Sequence, residues 1–380
     1  MQICICRVRV EYRTIEEWCE ILDSQRIPIT AKNRIEGPYP YYGANGIQGY
    51  VNDYIFDDEL VLLAEDGGNF GSKDRPIAYR VSGKCWVNNH AHVLKPKNDL
   101  NVDYLCYSLM FYNTNGLVNG ATRQKLPQST MRKMKIPYLE INKQQEIVQK
   151  IKKIESILSD LNGQLDLLDE LVKARFVEMF GDPVLNEKGW IAKPLIDMGN
   201  CKNGMNFHYN ENGYEVKCLG VGDFKDLSII NNIESLQTVS LNEMPTEEYM
   251  LRDNDIVFVR SNGNKALVGR SIVIYPGDVP TTFSGFCIRY RKYDDSIIVP
   301  YLLHVLKTDS FRNKMIGRGA NIQNLNQQIL ASLIIPVPPL ELQNQFASFA
   351  EEIDKSRSRI QKSLEASQEL FDSLMQEYFG

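Results

Sequence analysis

The stretch Gly120-Ala121-x-x-Gln124-x-Leu126-x-Gln128 returns later in the chain as Gly319-Ala320-x-x-Gln323-x-Leu325-x-Gln327, 199 residues on. Ile136-Pro137 meets Ile335-Pro336 at the same offset, as do Gln144 and Gln343, Ile154 and Ile353, and the closing Glu178-x-Phe180-Gly181 and Glu377-x-Phe379-Gly380. Between residues 120–181 and 319–380, 16 of 62 positions are identical without a gap. Such self-similarity marks a duplication. Upstream the offset drifts. Tyr104-Leu105-x-x-x-Leu109 matches Tyr301-Leu302-x-x-x-Leu306 at 197, and Trp18 aligns with Trp190 at 172, which would make the second globular part longer by 27 residues. The residues before Trp18 find no counterpart. Each half joins a divergent head to a tail of constant length.

The tails carry a heptad seam. Ile147, Ile151, Ile154, Leu158, Leu161, Leu165, Leu168 and Val172 step by 4, 3, 4, 3, 4, 3 and 4, the spacing of a helix that buries one stripe against another helix. The second tail continues the register with Phe346, Ala350, Ile353, Ile360, Leu364, Phe371 and Leu374, and places Arg357 and Ser367 where the first has Leu158 and Leu168. Gly181-Asp182-Pro183 is expected to stop the first helix, because Gly permits a left-handed cap and Pro cannot continue the helix. About 38 residues at 1.5 Å each give a rod of roughly 57 Å. A lone helix with such a stripe is marginal in water, and the nearest partner is the other tail. A generic bundle fragment or long core helix is the plainer alternative.

In the heads the apolar period changes to that of strands. Leu60-Val61-Leu62-Leu63 runs into Asp66-Gly67-Gly68-Asn69, and Ile256-Val257-Phe258-Val259 runs into Ser261-Asn262-Gly263-Asn264. A buried strand feeding a Gly/Asn loop thus recurs at the equivalent place. Cys85 to Leu94, Ser271 to Tyr275 and Phe286 to Arg291 read as further short strands, and Pro38 to Gly46 as a turn-rich aromatic loop.

Composition excludes several classes. With 380 residues, 43% hydrophobic and no run of 18 apolar residues, the chain has material for two or three cores and no membrane span. The eight cysteines (4, 6, 19, 85, 106, 201, 218 and 287) form no C-x-x-C pair, which fits a reduced, cytoplasmic protein with buried thiols. Gly67-Gly68-Asn69-Phe70-Gly71-Ser72-Lys73 lacks the order of a phosphate-binding loop. The sequence has no Asn/Asp-Pro-Pro-aromatic segment for adenine methylation and no glycine-rich loop for S-adenosylmethionine. His90 and His92 alternate on an expected strand and would share a face, with packing a better account than zinc. The reading is of a noncatalytic protein without a metal.

Three stretches of the first head carry a resemblance: Pro38-Tyr39-Pro40-Tyr41-Tyr42-Gly43-Ala44-Asn45-Gly46-Ile47, Leu62-Leu63-Ala64-Glu65-Asp66-Gly67-Gly68-Asn69, and Val87-Asn88-Asn89-His90-Ala91-His92-Val93-Leu94. Together with Ile335-Pro336-x-Pro338-Pro339-x-x-x-Gln343 and the order head, helix, head, helix, they resemble the specificity (S, HsdS) subunit of type I restriction–modification systems from about Trp18 to Gly380. The resemblance implies an α+β chain with two mixed α/β target recognition domains, each followed by a long helix. The helices would pack as an antiparallel coiled coil with pseudo-twofold symmetry. The expected boundaries are 1-141 and 182-340 for the recognition domains, and 142-181 and 341-380 for the spacer helices. It further implies that each domain reads one half of a bipartite, asymmetric site in double-stranded DNA and that the helix pair sets the unread spacer. Two HsdM methyltransferase subunits and HsdR restriction and translocase subunits would be the partners, bringing S-adenosylmethionine, ATP and Mg for adenine methylation and site-specific cleavage.

Base readout needs Asn or Gln for adenine and Arg or Lys for guanine, on loops that reach the major groove. The candidates are Asn45, Asn69, Lys73, Arg75, Arg123, Gln124 and Lys125 in the first head. In the second they are Arg260, Asn262, Asn264, Lys265, Arg270, Asn321, Gln323 and Asn324. For the Gly/Asn loops, turn chemistry is the competing account, since Asn tolerates positive φ. The formal net charge of −5 implies weak DNA binding by this chain alone, because phosphate attraction dominates affinity. A second functional reading is a coiled-coil scaffold whose two heads bind protein partners.

Overall fold

The computed structural model describes residues 11–120, 122–206, 213–224, 229–316 and 324–380. These fall into two compact units, one formed by the chain up to Gly163 with Ile360–Gly380, the other by Gln164–Arg359. Each unit combines one head with the start of one long helix and the end of the other.

In the first unit a six-stranded sheet runs in the order Cys19–Ile21, Ala91–Pro96, Phe56–Ala64, Ala78–Val87, Tyr39–Gly43, Gly46–Val51. In the second, a five-stranded sheet runs Gly199–Asn203, Cys287–Lys292, Asp255–Val259, Ser271–Ile274, Ile229–Ile230. The first four strands of both sheets follow one order and are antiparallel throughout. Beyond them the heads part. The first adds the hairpin 39–51, and the second adds Ile229–Ile230 and a separate sheet of Gln237–Leu241, Tyr214–Leu219 and Thr281–Phe283.

The central strand explains the apolar runs, since it is buried on both faces. Val61 and Leu63 face the helices while Leu60 and Leu62 face the opposite cluster. In the second head Ile256 and Phe258, then Val257 and Val259, divide in the same way.

The long helices span Ile141–Phe180 and Leu340–Phe379, 40 residues each, with boundaries at the 199 offset of the repeat. Gly181 (φ 75°) ends the first in the left-handed cap expected of it. In the first unit, Ile147, Val148 and Ile151 pack with Phe371, Met375, Tyr378 and Phe379. In the second, Val172, Phe176 and Phe180 pack with Phe346 and Ala350. The start of one helix meets the end of the other in both units, so within each the pair is antiparallel. Each head's conserved-repeat tyrosine touches the last phenylalanine of the opposite helix: Tyr104 lies 5.2 Å from Phe379, and Tyr301 lies 4.8 Å from Phe180, ring centre to ring centre. Ile147, Ile151, Ile154, Phe346 and Ala350 are buried, while Leu158, Leu161, Leu165, Leu168, Val172, Ile353, Ile360, Leu364, Phe371 and Leu374 are half-buried. Arg357 fills its seam position by pairing with Asp169.

Gln144 and Gln343 show why the repeat keeps a glutamine at the helix start. Both are fully buried. Gln144 Oε1 accepts from Asn101 N (2.8 Å) and its Nε2 donates to Asp99 O (3.0 Å) and Leu139 O (2.8 Å). Gln343 Oε1 accepts from Ile298 N (2.9 Å) and its Nε2 donates to Ser296 O (2.9 Å) and Pro338 O (2.7 Å). One side chain thus ties head, linker and helix together.

The fold corrects five expectations. Trp18 does not correspond to Trp190. Ile15 N donates to Met134 O as Leu195 N does to Leu333 O, and Lys97 N donates to Trp18 O as Tyr293 N does to Met198 O. Trp18 therefore matches Met198, and the heads differ by 19 residues in length, the repeat offset of 199 less the 180 seen here. Nor are residues 11–14 without counterpart, because Glu11–Thr14 pairs with Lys135–Tyr138 as Ala192–Pro194 pairs with Ile334–Pro336, while the first ten residues lie outside the described ones. Cys85 to Leu94 is not one strand but the end of Ala78–Val87, a turn at 88–90 and the start of Ala91–Pro96, and Pro38 to Gly46 is strand and hairpin turn, since tyrosines suit a half-buried pleat and Ala44-Asn45-Gly46 supplies the reversal. Finally, His90 sits in the turn before Ala91–Pro96, so it and His92 do not share a strand face. Among the described residues no helix is long and apolar enough to cross a membrane.

Candidate nucleic-acid interface

In the first head, strand Phe56–Ala64 runs out into the loop 65–75, and residues 119 and 124–126, around the first copy of the repeat motif, fold onto it. Leu126 N donates to Glu65 O (2.7 Å) and Gly67 N to Gln124 O (2.9 Å), while Asn119 and Lys125 exchange backbone bonds of 2.8 and 2.7 Å. Gly120 makes that turn at φ 96°, where a Cβ would stand 2.4 Å from Arg123 O, so no side chain fits. Arg123 Nε then pairs with Asp66 (2.7 Å) and Lys125 Nζ with Glu65 (3.2 Å), both cations staying more than half exposed. Asn45 Nδ2 donates to Gly67 O (3.0 Å) from the adjoining hairpin turn. Asn45, Arg123, Gln124 and Lys125 therefore meet on one exposed patch over the glycine loop, with Asn69 half-buried within that loop. Lys73 and Arg75 lie further along the loop, exposed and in no ion pair among the described residues.

Beneath the patch lies a buried charge network. Arg26 pairs with Glu65 (2.6 Å) and Asp23 (3.4 Å). His92, fully buried, meets Asp23 at 2.7 Å through Nδ1 and Leu126 O at 2.9 Å through Nε2. Gln128 Nε2 also donates to Asp23 (2.8 Å). Burial pushes the Asp23 and Glu65 carboxyls up, but His92 and Gln128 on the first and Arg26 on the second outweigh it, leaving both below the ordinary range. Asp23, Glu65 and His92 offer ligand atoms within 4.8 Å of one another. Arg26 already pairs with both carboxylates, so the chain itself supplies the positive charge a metal would bring. The network fixes Glu65, Leu126 and Gln128, and through them the two loops of the patch.

The second head repeats the architecture with other residues. Leu325 N donates to Arg260 O (2.8 Å), as Leu126 N does to Glu65 O, and Ser261 bridges Asn324 as Asp66 bridges Lys125. Arg260 and Asn324 are thus brought together, and Arg260 Nη1 donates to Gly285 O (3.3 Å) beside Phe286, which is 60% exposed. Asn262 Oδ1 accepts from Asn264 N (2.8 Å) and Asn264 Oδ1 from Ala266 N (3.0 Å). Turn chemistry therefore occupies one acceptor of each. Arg270 lies at the far end of the same loop, donating to Phe224 O (3.3 Å). Lys265 begins a short helical turn, Lys265–Leu267, its side chain outside the described ones; Asn321 and Gln323 also lie outside the described residues. Sequence reasoning missed Asp23, Arg26, Glu65, Asp66 and Phe286, because isolated charges and one exposed ring have no period or spacing to single them out.

The family described as "type I restriction modification DNA specificity domain" matches residues 7–168 and again 187–368. A putative type I restriction enzyme specificity subunit of Haemophilus influenzae is 27% identical over 367 residues, covering 93% of this chain and 90% of that protein. The StySPI specificity subunit of Salmonella potsdam is 22% identical, over 84% and 72% of the two chains. Among solved structures, the S subunit of a type I restriction–modification system from M. genitalium superposes with a TM-score of 0.60 at 16% identity, over 99% of this chain and 98% of that one.

Proposed function

Since the chain belongs to the type I restriction modification DNA specificity domain family, we propose that it is the noncatalytic, sequence-reading subunit of such a system, each head reading one half of a bipartite DNA site. The observation that supports this most is the pairing of equivalent loops on a shared four-strand scaffold. One scaffold holds Asn45, Arg123, Gln124 and Lys125; the other holds Arg260, Asn262, Asn264 and Asn324. Equal positions with unequal side chains suit two different half-sites, so the target would not be a palindrome. Long guanidinium and amide side chains on exposed loops are the groups that distinguish guanine and adenine edges.

The paired helices act in this reading as the spacer between half-sites and as the docking face for methyltransferase subunits, two per chain, which carry S-adenosylmethionine. Restriction subunits add ATP-driven translocation and cleavage. A net charge of −5 leaves most phosphate neutralisation to those partners. The scaffold reading, with heads that bind only protein, lacks a comparable observation in its favour.

Arg123→Ala and Arg260→Ala test the assignment in the complex assembled with its methyltransferase. Each should relax base preference in one half-site only, at a cost of roughly 1–3 kcal/mol per lost bidentate contact. Unchanged preference in both variants would reject these residues as readers.

A further inference from the structure

Arg289 is a buried cation that makes no direct ion pair among the described residues, Asp255 acting on it only across Arg291. It lies on strand Cys287–Lys292 of the second head and is 4% exposed. Its Nη2 donates to Asn200 Oδ1 at 2.8 Å, its Nε has no partner, and no carboxylate pairs with it among the described residues. It lines a cavity of about 440 Å³ at the edge strand Gly199–Asn203. Every other cation of that lining is matched: Arg291 takes both oxygens of Asp255 (2.8 and 2.7 Å), Lys202 pairs with Glu248 (2.7 Å), and Arg252 pairs with Glu247. Cys201 supplies no negative charge, because burial pushes its thiol up to about 11. Burial and the neighbouring Arg291 guanidinium hold Arg289 below the ordinary arginine value.

The scaffold does not need this charge. Ala64 faces Ala91 across the first sheet as Val259 faces Cys287 across the second, and the strand ends Glu65 and Arg260 are equivalent. Arg289 therefore corresponds to Val93, which is fully buried in an apolar cluster. An arginine in place of a core valine exchanges packing for a desolvated charge, an exchange that is unfavourable unless an anion neutralises it. Water would satisfy the hydrogen bonds but not the charge. Planar guanidinium donors in a fork fit the oxygens of a phosphate group.

We infer that the Arg289 cavity is a binding site for a phosphate-type oxyanion, separate from the candidate base-reading loops. The phosphate comes either from the DNA backbone or from free phosphate in solution. The inference stands on the cavity and the unpaired arginine, and a DNA source additionally rests on the function proposed above.

The test is calorimetric titration of inorganic phosphate into the full chain at constant ionic strength, with chloride as the control. Saturable binding is expected in the native protein and a loss of tenfold or more in Arg289→Met. Asn200→Asp provides a second variant that keeps the arginine but places a carboxylate beside it; phosphate binding should fall by a similar factor while thermal stability in phosphate-free buffer rises. Absence of saturable binding in the native chain, or equal binding in all three proteins, overturns the site. Repeating the titration on the complex assembled with its methyltransferase, with saturating target duplex, separates the sources: competition identifies a backbone phosphate, and undiminished binding identifies free phosphate. A duplex that fails to bind that complex counts against the DNA-reading function and leaves the first titration standing.

Discussion

Replacing Gln343 by leucine keeps side-chain volume and removes three hydrogen bonds at once. Ile298 N loses its acceptor, and Ser296 O and Pro338 O lose their donor. Because Gln343 is fully buried, the apolar replacement shields these groups from water. An unsatisfied buried group costs about 1–3 kcal/mol, and carbonyls with a second lone pair sit at the low end, so the loss should total roughly 3–5 kcal/mol. For a domain of 150–250 residues that corresponds to a fall in Tm of roughly 6–20 °C. Gln144→Leu removes the matching three bonds to Asn101, Asp99 and Leu139 and should cost about the same. Urea unfolding followed by circular dichroism on both variants gives the comparison. Losses below about 1 kcal/mol in either would refute the view that these glutamines lock heads to helices.

Asp66→Asn releases Arg123 from its 2.7 Å ion pair and removes a negative charge from the patch. DNA affinity of the assembled complex, read by fluorescence anisotropy at fixed salt, should tighten by up to about fivefold, in line with roughly 1 kcal/mol for a partly exposed pair; weaker binding would show that Asp66 itself is required for contact. Burial pushes the Lys307 ammonium down to about 8, against the opposing pull of Asp354 and Asp169. A lysine whose folded value is depressed costs stability while charged, so the cost is full below pH 8 and lifts as pH rises towards the free-lysine range. Lys307→Met should therefore stabilise the protein at pH 7, with the gain shrinking between pH 8 and 10 in urea titrations; a pH-independent difference would dismiss the linkage. Arg357→Leu restores an apolar seam residue at the expense of the exposed pair with Asp169. Thermal unfolding should rise or stay level, because such pairs contribute about 0–1 kcal/mol, and a clear fall in Tm would assign the pair a larger role.

Periodicity carried the long helices and the central strands, since a stripe repeating over 40 residues and a four-residue apolar run each have few structural solutions. The seam positions from Ile147 to Leu374 are all buried or half-buried for that reason. The alignment of Trp18 with Trp190 failed because a shared residue type outweighed backbone order, and the true match emerges only from the backbone pairing of Ile15 with Met134 and Lys97 with Trp18. The patch was partly legible: Arg123, Lys125 and Arg260 stand out as cations beside glycine loops. Asp66 and the Arg26–Glu65–Asp23–His92 network beneath were not, because the pairs that build it, Arg26 with Glu65 and His92 with Asp23, lie 39 and 69 residues apart in sequence. Arg289 was invisible for the same reason, a single arginine in a strand whose isolation emerges only from its neighbours.

Exchange of residues 182–340 for the head of another member of the family tests the central claim most directly. The readout is the set of adenine-methylated sites mapped by methylation-sensitive genome sequencing in cells carrying the partner methyltransferase. One half of the methylated site should change while the other half and the spacer between them stay as they were. Alteration of both halves, or of neither, would contradict it.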